Sequence, residues 1–136
     1  THGDKEFFRV KDHLNRLFSS AKKIDLKIKH SKSEVLKMLQ KVVKKSPHKI
    51  QRIKIIAIKE GIIISSTKTK IDPTIYNGVS VKSIDRMREI PEVKSLSYIS
   101  SFLSHEEAVK QGYFEAILVN EKEEVYEGAY SNLFWF

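Results

Sequence analysis

Val93-Lys94-Ser95-Leu96-Ser97-Tyr98, then Glu115-Ala116-Ile117-Leu118-Val119-Asn120, then Glu127-Gly128-Ala129-Tyr130-Ser131-Asn132-Leu133-Phe134 decide how the rest of this sequence is read. The first run sets a lysine between an extended segment and a helix predicted over 95–110. There Leu96, Ile99, Phe102, Leu103 and Ala108 suit a half-buried helical face, and Gly112 suits a left-handed C-cap. A lysine at a helix start lies at the positive end of the helix dipole; its amine can condense with an aldehyde and, when released, move a proton. The second run predicts a strand over 113–120. An acidic turn at 121–124 and a short strand at 125–126 follow, and then a turn at 127–131 around Gly128 that carries Glu127. A carboxylate held rigidly in such a turn can face a ring nitrogen and keep it protonated. Leu133 to Phe136 is predicted as a further strand.

Working outward, Val79 to Ile84 is predicted as a strand, and Pro91 interrupts the chain before the lysine. Residues 68–78, with Asp72-Pro73 and Asn77-Gly78, carry turn signals at both ends and read as a linker. Upstream, Ile50 to Ile58 and Gly61 to Thr67 form a hairpin turned at Lys59-Glu60-Gly61. Val10, Leu14, Leu17, Phe18, Ala21 and Ile24 fall on one face of a first helix. Ser31 and Glu34 have the spacing of a capping box, opening a second helix to about Lys45 that buries Val35, Leu36, Leu39, Val42 and Val43 and stops before Pro47. The pattern predicts an α/β (α+β) chain: an N-terminal sheet-plus-helices domain over 1–67, a linker at 68–74, and the start of a mainly β domain over 75–136.

A chain of 136 residues, 40% apolar and 31% charged, has enough apolar surface to bury a core. With 25 Lys and Arg against 17 Asp and Glu the formal charge is +8, which favours anionic partners such as phosphates. The basic groups at Lys22-Lys23, Lys27, Lys29 and Lys44-Lys45 read as a solvated face, because no nucleic-acid recognition motif and no basic helix with interleaved aromatics accompanies them. The absence of cysteine excludes disulfides, thiolate metal sites and a Cys nucleophile, and fits a cytoplasmic setting. His2, His13, His30, His48 and His105 lack metal-ligand spacing, so no metal is expected. No apolar run approaches the roughly 20 residues of a membrane span.

Taken together, Lys94-Ser-Leu-Ser-Tyr98, Glu107-Ala108, Gly112, the strand from Glu115, and Glu127-Gly-x-x-Ser131-Asn132-x-Phe134 resemble the signature of the class IV, fold-type IV pyridoxal-phosphate enzymes. That family includes branched-chain aminotransferases, D-amino acid aminotransferases and aminodeoxychorismate lyases. The early run His13-Leu14-Asn15-Arg16-Leu17, followed by Ser20-Ala21, is similar to the family's His-Leu-x-Arg-Leu helix.

The resemblance implies a pyridoxal 5'-phosphate cofactor held covalently by Lys94, which would also serve as acid and base. Arg16 would bind the cofactor phosphate, Glu127 would pair with the pyridine nitrogen, and Tyr98 would reach the phenolic oxygen, a match that needs a one-residue gap. Ser131 and Asn132 would border the cofactor. The larger domain would begin a β-barrel-like fold of the D-amino acid aminotransferase kind. The implied reaction moves an amino group between an amino acid and a 2-oxo acid in a homodimer, branched-chain substrates being favoured through Tyr98. No Arg-x-His pair of the D-amino acid enzymes is present. The rivals are pyruvate-releasing aminodeoxychorismate lyase and, outside enzymes, a basic binding module. Relatives have strands before Thr1 and segments after Phe136, so the chain is expected to be part of a longer enzyme.

Overall fold

The computed structural model describes residues 7–135, and the chain packs as two compact units, Thr1–Ile71 and Asp72–Phe136. In the first unit, helix α1 (Val10–Lys23) and helix α2 (Lys32–Lys45) accompany an antiparallel hairpin of β1 (Gln51–Ala57) and β2 (Ile62–Lys68).

α2 begins where the capping-box spacing predicts. The Ser31 backbone N–H donates to Glu34 Oε2 at 2.7 Å, and the Glu34 N–H donates to Ser31 Oγ at 3.3 Å. These bonds satisfy donors that the first helical turn leaves without intrahelical partners. The Ser31 N–H and the Ser31 hydroxyl, which donates to the same Glu34 Oε2 at 2.7 Å, hold the Glu34 carboxyl below the usual glutamate range, the backbone bond contributing most. The hairpin closes at Lys59-Glu60 through reciprocal backbone bonds between Ile58 and Gly61, at 2.9 and 3.2 Å.

Two-residue periodicity puts Ile53 and Ile55 of β1 on one face with Ile62 and Ile64 of β2, and this face packs on the buried Leu14, Val35 and Leu39. Each fully buried side chain of this size contributes on the order of 1.5–3 kcal/mol. Residues 25–29, whose Leu26 and Ile28 alternate with charge, form no strand; Leu26 instead closes the end of α1 through its N–H to Ala21 O at 2.9 Å.

The second unit is a three-stranded sheet in the order β3-β4-β5, with β3 (Val81–Asp85) parallel to β4 (Glu115–Val119) and β5 (Val125–Gly128) antiparallel to it. A 3-10 turn at Pro73–Asn77 occupies part of the segment expected to be a linker; Asp72 caps it, accepting from the Thr74 N–H at 2.9 Å.

Helix α3 (Ile99–Lys110) forms the crossover between the parallel strands and packs on β4. It buries Ser101, Ser104 and Ala108, so small residues set a close helix–sheet approach, while Ile99, Phe102 and Leu103 stay exposed. The expectation that these large residues would form its buried face is therefore corrected. The core comprises Ile84, Ala108, Ala116, Leu118 and Ala129. Gly112 takes φ 83°, the left-handed conformation expected past the helix end.

Three further expectations are corrected. α3 starts at Ile99, not at Ser95, because the preceding backbone bonds to itself at shorter range: Ser95 N–H to Val93 O and Tyr98 N–H to Leu96 O, both 2.9 Å, with Ser97 N–H on Ser95 Oγ at 3.2 Å. Glu127 lies within β5, paired opposite Leu118, not in a turn. Leu133 to Trp135 form no strand, and Phe136 lies outside the described residues.

Candidate functional site

Lys94 is exposed in the irregular segment between β3 and α3, directly after Val93, which is 2% exposed. Burial of Val93 anchors the segment and leaves the next side chain at the surface. Tyr98, half-buried, is the N-cap of α3, its carbonyl accepting from the Phe102 N–H at 2.7 Å.

Glu127 reaches the same neighbourhood through Arg88, an arginine that sequence reasoning did not single out. Arg88 Nη1 donates to Glu127 Oε1 at 3.0 Å, and Arg88 Nη2 donates to the Val93 carbonyl at 2.9 Å. One guanidinium thus joins the carboxylate of β5 to the peptide that precedes Lys94. The Arg88 side chain is 11% exposed and that of Glu127 is 38% exposed, so the pair is partly screened from water on one side. The only hint in the sequence was a doubled arginine, Arg86 and Arg88, just before Pro91, where a surface role is the ordinary expectation.

A small open pocket next to this pair is lined by Met87, Arg88, Pro91, Leu118, Tyr126 and Glu127. Adjacent strand residues ordinarily point to opposite faces, yet Tyr126 and Glu127 both line it. The β4–β5 register explains this. Glu127 opposes Leu118 and Val125 opposes Val119, so Tyr126 is the extra residue of a bulge, a device that re-aims side chains.

Ser131 and Asn132 follow β5 in an exposed bend. The bend folds tightly over Gly128, where an added Cβ would collide with Ser131 Oγ. Space, not a positive φ, requires glycine there. A second missed group holds the same bend. Glu115, buried at the start of β4, accepts from the Ala116 N–H at 2.9 Å and the Tyr130 N–H at 3.2 Å, and lies 3.2 Å from His105 Nδ1 of α3. The Tyr130 ring meets the His105 ring edge-on at 4.7 Å.

Lys94, Tyr98, Glu127, Ser131 and Asn132 all belong to the second unit, whereas Arg16 belongs to the first. It is exposed on α1, with Nη2 3.2 Å from His13 Nδ1. Among the described residues no group of three His, Asp or Glu could hold a metal ion, and no helix is long and apolar enough to cross a membrane.

A family model described as amino-transferase class IV matches residues 2–136. The chain belongs to this family. Among class IV relatives, the D-alanine aminotransferase of Listeria monocytogenes is 25% identical over 147 residues, covering 94% of this chain and 50% of its own length. Among solved structures, a putative 4-amino-4-deoxychorismate lyase from Legionella pneumophila superposes with TM-score 0.79 at 18% identity, over 94% of this chain and 53% of its own. The branched-chain amino acid aminotransferase of T.th., complexed with N-(5'-phosphopyridoxyl)-L-glutamate, gives TM-score 0.75 at 22% identity, over 90% of this chain and 46% of its own. These likenesses show the class IV fold, and the chain spans about half the length of the relatives it matches.

The donor set of the second unit fits the cofactor that the class IV signature implies. An exposed primary amine lies in the same unit as a carboxylate of which, among the described residues, one oxygen is engaged by a guanidinium. Lys94 would offer the amine for covalent attachment, and Glu127 Oε2 would offer an acceptor for a protonated ring nitrogen.

Proposed function

We propose that this chain carries the cofactor lysine of a pyridoxal-phosphate-dependent aminotransferase that moves an amino group between an amino acid and a 2-oxo acid, with branched-chain amino acids favoured. When bound, pyridoxal phosphate supplies an aldehyde for amine exchange and a protonated ring that withdraws electrons from the substrate's alpha carbon. Lys94 attaches the cofactor and carries the proton to and from that carbon. Glu127 keeps the ring nitrogen protonated, and Arg16 binds the phosphate through its planar fork. Tyr98 orients the ring oxygen, and Ser131 with Asn132 borders the cofactor. A homodimer and a cytoplasmic setting go with the resemblance.

The observation that carries this proposal is the Arg88 link, which brings the Glu127 carboxylate and the peptide preceding Lys94 onto one guanidinium. It supports an arrangement in which amine and carboxylate serve one cofactor. Mixing the native-length protein with pyridoxal phosphate tests it. A long-wavelength absorbance band of lysine-bound cofactor is expected, removed in Lys94→Ala. An unmodified wild-type spectrum sinks the proposal.

The likeness to a 4-amino-4-deoxychorismate lyase supports a second reading, elimination of pyruvate with the same lysine. Amino transfer that requires a 2-oxo acid decides for the first, and pyruvate release without one decides for the second. The relatedness to D-alanine aminotransferases adds D-amino acids to the substrates worth assaying.

A further inference from the structure

We propose that Arg88 is the positioning residue of this site, setting the distance between the cofactor lysine and the ring-nitrogen carboxylate by holding both at once. The inference rests on the cofactor proposal above and adds a residue to it. Arg88 stands in the irregular segment after β3, and its side chain is nearly buried at 11% exposure. Its two terminal nitrogens take acceptors from separate parts of the chain: Glu127 Oε1 on β5 at 3.0 Å and the Val93 carbonyl at 2.9 Å. The rigid planar fork fixes the separation of those acceptors, which a lysine ammonium on a flexible stem cannot do.

The segment around Lys94 is neither helix nor strand, and its local backbone bonds, Ser95 to Val93 and Tyr98 to Leu96, shape it without tying it to β5. On β5 the bulge at Tyr126 turns Glu127 toward Arg88, so the carboxylate depends on the guanidinium for its placement. Arg88 occupies Oε1 and leaves Oε2 as the acceptor for a ring N–H. The guanidinium complements the carboxylate's negative charge, so it acts on the cofactor ring through Glu127 and on the amine through the Val93 peptide, touching neither reacting atom.

The test is a double-mutant cycle at native length with wild type, Arg88→Ala, Glu127→Gln and the double variant, plus Arg88→Lys. Each is titrated with pyridoxal phosphate, the lysine-bound band is followed against pH, and the unfolding midpoint of the cofactor-free protein is measured. Arg88→Ala is expected to weaken cofactor binding by about tenfold, the loss typical of a charge-assisted hydrogen bond, and to move the pH midpoint of the band. In the Glu127→Gln background the same substitution should cost less affinity than in wild type, because the share of Arg88's effect that passes through the Glu127 carboxylate is already lost while the share through the Val93 carbonyl remains. Arg88→Lys should recover the unfolding midpoint more fully than the pH midpoint.

An Arg88→Ala protein with wild-type affinity and pH midpoint but a lowered unfolding midpoint would overturn the proposal, leaving Arg88 a packing residue. Independent, additive effects of the two substitutions would also overturn it. If Arg88→Ala does not fold, Arg88→Lys carries the test: wild-type affinity and pH midpoint there reject the fork. A wild-type protein that forms no band rejects the cofactor reading and Arg88's role together, whereas a normal wild-type band with an unaltered Arg88 variant rejects Arg88's role alone.

Discussion

The buried carboxylate of Glu115 accepts the backbone N–H of Tyr130 at 3.2 Å, pinning the first strand residue of β4 to the bend that follows β5. The same side chain also accepts from the Ala116 N–H and lies 3.2 Å from His105 Nδ1, so groups from two strands' ends and a helix converge on one residue. Glu115→Ala should destabilise the second unit by about 1–3 kcal/mol, the cost of leaving buried donors without acceptors. Urea unfolding measures the loss, and faster hydrogen exchange at the Tyr130 amide locates it. Unchanged exchange there would mean the bend is held by other contacts.

Gly128→Ala forces a Cβ into Ser131 Oγ and to within 3.2 Å of Ser131 Cβ and 3.1 Å of its carbonyl oxygen. Overpacking of this kind costs about 1–3 kcal/mol. Adding Ser131→Ala should restore a large part, since the worst contact is the hydroxyl, and chemical denaturation of the single and double variants checks the order.

Leu39 is 1% exposed in the core of the first unit, packed with Leu14 and Val35. Leu39→Ala should cost about 2–5 kcal/mol, through lost burial and the cavity left behind. The first unit's hairpin amides should lose exchange protection, while those of β4 keep theirs.

Glu34 contributes a pH dependence whose sign follows from its lowered carboxyl pKa, set first by the Ser31 backbone bond and then by the Ser31 hydroxyl. Its stabilisation is fully present above the ordinary glutamate range and is lost as pH falls through the lowered folded value. Glu34→Gln should therefore be less stable than wild type near neutrality, with the gap closing in acid. Unfolding midpoints at about pH 7 and about pH 3 decide it; a constant gap would argue against the ionised carboxylate.

Arg16→Ala should raise the pyridoxal phosphate dissociation constant about 10- to 100-fold, equivalent to roughly 1.5–3 kcal/mol for hydrogen bonds to a charged group. Lysine at this position should restore part of the affinity through charge alone. Equal affinities of all three proteins would remove Arg16 from the phosphate site.

Much of the first unit is legible from its residues. The helical spacing from Val10, the Ser31–Glu34 pair and the Ile-rich alternation each encode a local bond or a buried face, and local signals survive without knowledge of the partner. The second unit is less so. Leu96 and Ile99 keep a helical step, but the serines beside them offer the backbone competing bonds, and the helix waits until Ile99. Leu133-Phe134-Trp135 reads as a strand by composition, yet strands exist only as pairs and no neighbour among the described residues takes it up. The family pattern singles out Lys94 and Glu127 as candidates. It leaves Arg88 out, because only the folded register of β5 against β4 turns that arginine from a surface charge into a bridge.

The parallel pairing of β3 with β4 also carries a kinetic implication. The hairpin of the first unit closes through neighbours at Ile58 and Gly61, whereas Val81 must find Glu115 across the whole intervening crossover. Closing a long loop before its contacts give any return slows assembly, so the β1–β2 hairpin is expected to form well before the β3–β4 pair. Lys94 lies inside that crossover, so the link from its preceding peptide through Arg88 to β5 is expected to form only after the β3–β4 pair. A nascent chain would hold its local helices and hairpin before it could discriminate any ligand.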